Sequence, residues 1–82
     1  MAWYYLDAAV PYEQYDWFLA NCCCLGMLGS EEKVLSEGME IRAYFKDEAI
    51  ARKADAELKR KNPAIKTETG MSASLLGYRL DH

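Results

Sequence analysis

Few side chains in this sequence are equipped for chemistry, and their spacing limits what they can do. The one histidine, His82, is the last residue, where chains are seldom held in place. Zinc sites and most acid–base catalysis need imidazoles or thiolates fixed by surrounding structure, so His82 is set aside. Cys22, Cys23 and Cys24 are consecutive. On a helix neighbours point about 100° apart, so three in a row cannot ligate one ion without distortion. No C-x-x-C pair and no second histidine completes a metal site. The odd count points to free thiols, with Cys22 packed inward and Cys23 or Cys24 partly exposed. Gly26-Met27-Leu28-Gly29 follows a helix and enters a strand, whereas phosphate loops run from a strand into a helix N-terminus. Ser72 and Ser74 have no histidine base nearby, and nothing marks a triad. No base, nucleophile or ligand set stands out, so the chain reads as a non-enzyme.

What remains is recognition chemistry. Seven of the ten aromatic residues fall before residue 19, too many for one strand and one helix to bury with ease. Tyr4, Tyr15 and Phe18 fit a core. Strand alternation sends Trp3, Tyr5 and Tyr44 to the other side of a sheet, where exposed aromatics suggest an interface. Equally, the tail could fold back through Leu75, Leu76 and Tyr78 and cover them. Charge is unevenly placed as well: nine acids oppose three bases through residue 48, and seven bases oppose four acids after it.

Size and composition narrow the classes. With 82 residues the chain is one domain at most, and its apolar content with a net charge of −3 argues against disorder. That net charge provides no basic excess to neutralise phosphates, so a dedicated nucleic-acid binder is disfavoured. Arg52-Lys53 and Lys59-Arg60-Lys61 read as a solvated helix face. No run approaches the roughly 20 apolar residues of a membrane span, and no secretory signal opens the chain. The expected location is cytoplasmic.

The elements that position these residues follow from periodicity. Trp3 to Val10 alternates as a strand, with Tyr4, Leu6, Ala8 and Val10 toward the core. Pro11 to Leu25 reads as a helix with Tyr15, Phe18, Leu19, Cys22 and Leu25 along one stripe, stopped by Gly26 in the left-handed position. Met27 to Glu32 and Met39 to Phe45 form two strands around a turn at Ser36, Glu37 and Gly38. The second places Met39, Ile41, Ala43 and Phe45 on one side. Asp47 caps a helix that runs to Lys61 with Ile50, Ala54 and Leu58 as its buried ridge. Asn62-Pro63 ends it, and Ala64 to Thr69 forms a last strand with Ile65 inward. Residues 1–69 thus make one domain, and residues 70–82 a linker or an extra edge strand. The order predicts an α+β fold: a ferredoxin-like βαββαβ two-layer sandwich, its antiparallel sheet carrying both helices on one face.

The residues also carry a resemblance. Trp3-Tyr4-Tyr5-Leu6 leads to Pro11 and an acidic-flanked helix ending Leu25-Gly26-Met27-Leu28-Gly29-Ser30-Glu31-Glu32, and Arg42-Ala43-Tyr44-Phe45-Lys46-Asp47 follows. Over residues 3–69 this resembles the N-terminal domain of the bacterial methyltransferase of ribosomal large-subunit protein eleven, the PrmA family. The resemblance implies a module that grips the ribosomal protein, linked flexibly to a Rossmann-like domain holding S-adenosylmethionine. The glycine-rich loop and ribose-binding acid of that second domain are not among these residues. Met71 to His82 also lacks the Asp-Trp pattern expected to lead into it. The implied role is therefore substrate recognition without activity or cofactor in this chain.

These readings converge on a protein-binding module using its open sheet face and adjoining loops. Its candidate contacts are Trp3, Tyr5, Arg42 and Tyr44, with Glu31 and Glu32 complementary to a basic ribosomal partner. The rival is a stand-alone module that pairs through its sheet into a homodimer, with room for a small ligand in the groove.

Overall fold

The computed structural model describes residues 3–72. Along the chain β1 (Trp3–Val10), a 3-10 turn (Tyr12–Gln14), α1 (Tyr15–Cys24), β2 (Gly29–Val34), β3 (Met39–Phe45), α2 (Glu48–Lys61) and β4 (Lys66–Ser72) follow one another. The four strands form one antiparallel sheet in the order β2-β3-β1-β4. Both helices pack on one face, and the result is the expected ferredoxin-like sandwich.

Alternation builds the core. Leu6, Ala8 and Val10 of β1 and Ile41, Ala43 and Phe45 of β3 point to the same side. There they meet Phe18 and Cys22 of α1 and Ala51, Ala54 and Leu58 of α2. The ridge of α2 includes Ala51 as well as Ala54 and Leu58, with Ile50 only partly buried. The Asp47 side chain accepts the Ile50 backbone N–H at 2.9 Å and so satisfies one of the unpaired donors of the first turn. Lys59, Arg60 and Lys61 lie in the last turn, where the helix dipole favours cations.

Three boundaries differ from the sequence reading, each for a local reason. Pro11 stays extended, with ψ 155°, and the chain takes a 3-10 turn closed by Gln14 N–H on the Pro11 carbonyl. The Tyr12 hydroxyl meanwhile donates to the Leu35 carbonyl across the fold, so α1 itself starts at Tyr15. At its other end, Gly26 takes φ 103°. Gly26 N–H donates to the Cys23 carbonyl and Met27 N–H to the Cys22 carbonyl, the paired bonds of a Schellman cap. The cap occupies the chain through Met27, which moves β2 from the expected 27–32 to Gly29–Val34. Gly26 also faces Ile50, whose methyl lies 3.2 Å from where a Cβ would stand.

The last strand is displaced the same way, to Lys66–Ser72 instead of 64–69, with Ile65 buried just ahead of it. Gly70, read from sequence as the start of a tail, is an interior strand residue. A Cβ there would collide with the Tyr5 hydroxyl on the neighbouring strand. The sheet therefore extends three residues past the expected domain edge at 69. The expectations for Ser74, Leu75, Leu76, Tyr78 and His82 lie outside the described residues.

Candidate functional site

The face of the sheet away from the helices is set by register. Tyr5 pairs with Tyr44 and Gly70, Asp7 with Arg42 and Glu68, Glu31 with Arg42, and Gly29 with Tyr44. One further row brings Lys33, Glu40, Ala9 and Lys66 side by side. Among the described residues this face thus carries four carboxylates (Asp7, Glu31, Glu40, Glu68) and three cations (Lys33, Arg42, Lys66), interleaved by strand.

Arg42 organises the centre. Its Nε and Nη2 donate to the two oxygens of Asp7 at 2.7 and 2.8 Å, the bidentate fork that suits guanidinium and carboxylate. The same guanidinium lies 3.9 Å from the centroid of the Tyr5 ring, close enough for cation–π attraction. The hydrogen bonds to Asp7 raise the Arg42 pKa further, against the opposing effect of burial. Tyr5 in turn reaches over Gly70. On the other side, the Tyr44 hydroxyl donates to Glu31. Burial first and that carboxylate second push the Tyr44 pKa up to about 12.

Placement of the expected contact residues is mixed. Trp3, Tyr5, Arg42, Tyr44 and Glu31 do share the face away from the helices. Tyr44, expected to be an exposed aromatic, is only 3% exposed. The reason is lateral packing: its same-face neighbours Tyr5, Arg42 and Glu31 close around it although no helix does. Glu32 belongs to the opposite face. It accepts the Tyr15 hydroxyl at 2.6 Å and the Ser30 hydroxyl at 3.1 Å, so Glu31 and Glu32 do not form one acidic patch. Sequence reasoning missed Asp7 as the partner of Arg42. Alternation puts both on this face, and the strand register that joins them lies beyond periodicity.

A depression of about 300 Å³ opens over this centre, lined by Asp7, Glu31, Glu32, Lys33, Glu40 and Arg42. It has the volume of a small-ligand site at the lower end of the usual range. Its lining is charged, so polar contacts would dominate recognition there. Elsewhere, Arg52 pairs with Glu48 and Arg60 with Glu57 along α2, as befits a solvated helix face. Cys22 is buried and Cys23 and Cys24 are exposed, as expected. Burial pushes the Cys22 thiol up to about 12. Among the described residues no three histidine, cysteine or acidic side chains gather in a metal-binding group. No described helix is long and apolar enough to cross a membrane.

Comparison with protein-family profiles and with curated sequences gives no match. Solved structures do match in shape. A protein of Thermus thermophilus, provisionally described as PII-like and signaling, superposes with a TM-score of 0.79. It shares 10% identity, over 96% of this chain and 95% of that one. The de novo designed protein Foldit4 superposes with a TM-score of 0.70 at 10% identity, covering 89% and 97%. At such identity the likeness speaks for the fold.

Proposed function

We propose that this chain is a non-catalytic, stand-alone ferredoxin-like module that pairs with a second copy of itself and offers the groove on its open sheet face to a small polar ligand. The observation that carries the reading is the mixed charge of that face. Four carboxylates and three cations are mixed across it, and the strongest of them are already paired internally. A strongly basic partner would meet the three cations Arg42, Lys33 and Lys66 among the four acids. A second copy carries the same mixture and, set side by side with the first, can bring cation against carboxylate while leaving the groove uncovered. The shape likeness to a protein described as PII-like supports a small module that works as a unit.

Static light scattering over a concentration series tests this, with reductant present to keep Cys23 and Cys24 free. A mass rising from one chain toward two is expected, with no change on adding ribosomal large-subunit protein. A chain that stays monomeric and binds the ribosomal protein tightly would overturn self-pairing. It would favour the methyltransferase-domain role that the sequence resemblance implies. Thermal shifts against a panel of small charged metabolites report on the groove, where Arg42→Met should abolish any stabilisation seen.

A further inference from the structure

Among the described residues the four strands leave two edges, β2 and β4, and these differ. Along β2 the hairpin closes with Leu35 N–H on the Gly38 carbonyl. In an antiparallel ladder hydrogen-bonded and non-bonded positions alternate. Gly29, Glu31 and Lys33 therefore turn their backbone groups inward to β3, while Ser30, Glu32 and Val34 turn theirs outward. Two exposed aliphatic side chains mark the ends of β2, Leu28 just before it at 56% and Val34, its last residue, at 71%. Neither β3 nor α1 covers them.

We propose that β2 is the seam along which two copies join, antiparallel, into one eight-stranded sheet with the two-fold axis at Glu31. This rests on the self-pairing reading above and names its surface. In that register Ser30 faces Glu32 of the second copy, and Val34 reaches toward the side chain of Leu28, whose own N–H stays on the Tyr44 carbonyl of β3. Each outward backbone group of Ser30 and Glu32 then meets a complementary one. Both exposed aliphatics are covered twice over by the symmetry. At the axis the two Glu31 carboxylates are drawn back over β3 by the Tyr44 hydroxyls, which lowers their repulsion. Lys33 has no ion pair among the described residues and lies diagonally across from Glu31 of the other copy, within cross-strand reach.

The alternative register centred on Glu32 would set Glu31 against Lys33 but leave Leu28 and Val34 facing serines. The β4 edge offers less. Centred on Thr69, it sets its one large exposed apolar residue, Met71, against Thr67. The β2 seam also brings the two grooves lined by Glu31 and Lys33 side by side, as one trough on the open face. A single strand pair buries less than the roughly 1,200 Å² of stable complexes, so the dimer is reversible and depends on concentration.

Sedimentation equilibrium of the full chain under reductant, with Val34→Lys, Ser30→Pro and Met71→Lys, tests the seam. Val34 is exposed, and the Ser30 N–H is not used by β3, so both seam variants keep the monomer fold; far-UV circular dichroism checks this. Val34→Lys and Ser30→Pro should each raise the dimer dissociation constant at least tenfold, and Met71→Lys should leave it unchanged. A dimer that survives both seam variants places the contact elsewhere, which overturns this inference while self-pairing stands. A trimer or larger ring overturns it as well, because a two-fold seam closes at two. A chain that is monomeric at every concentration overturns both.

Discussion

Under the helices, Leu6, Ala8, Ile41, Ala43 and Phe45 exclude water by packing, with exposures of 3% or less. On the reverse of the same strands, Asp7, Arg42 and Tyr44 are held by directional bonds, the first two at partial exposure and Tyr44 buried. Apolar burial scales with area and is indifferent to direction, so the covered side is robust to rearrangement but sensitive to lost volume. Paired polar groups behave the other way. Removing one partner leaves the other without its bonds, and the cost depends on how far water can step in. The two sides of one sheet thus fail by different mechanisms.

That contrast can be broken by experiment. The largest effect belongs to the covered side: Ile41→Ala, fully buried between β1 and the helices, should cost about 2–5 kcal/mol in urea unfolding. On the open side, Asp7→Ala strips Arg42 of both hydrogen bonds, yet the pair is 30% and 28% exposed. Solvent relieves part of the loss, and the expected cost is about 1–2 kcal/mol. A double-mutant cycle with Arg42→Met isolates the coupling, and a cost for Asp7→Ala equal to that of Ile41→Ala would erase the distinction.

The smallest effect is invisible at neutral pH. The fold favours the neutral Tyr44 phenol, whose pKa is pushed up to about 12 from an unfolded value near 10. Its contribution is complete below the unfolded value and is lost as pH rises through the folded one. Phenolate absorbance of the native chain minus that of Tyr44→Phe should show a titration near pH 12. A midpoint near 10 would mean that the ring is solvated.

Much of the covered side is legible in the sequence because it follows a period. Leu6, Ala8 and Val10, then Ile41, Ala43 and Phe45, alternate cleanly, and Asp47 with the basic run at Lys59 brackets α2. The open side is legible in membership and illegible in pairing. Asp7 and Arg42 lie 35 residues apart, and register, which periodicity does not contain, decides whether they meet. Gly70 reads as a breaker because its role is defined by Tyr5 on another strand. The start of α1 is hidden because Pro11 suits a first helical turn equally well. The choice is made by Tyr12 reaching Leu35, a contact made across the fold.

The turn after Val34 has an effect beyond joining two strands. By closing with Leu35 N–H on the Gly38 carbonyl it sets the parity of β2 against β3, and parity decides which glutamate looks toward Tyr44 and which toward Tyr15. Adding or deleting one residue between Val34 and Met39 would exchange the two acids and turn the whole edge inside out. A connector of four residues therefore acts as the phase key for every side chain on the strand that precedes it.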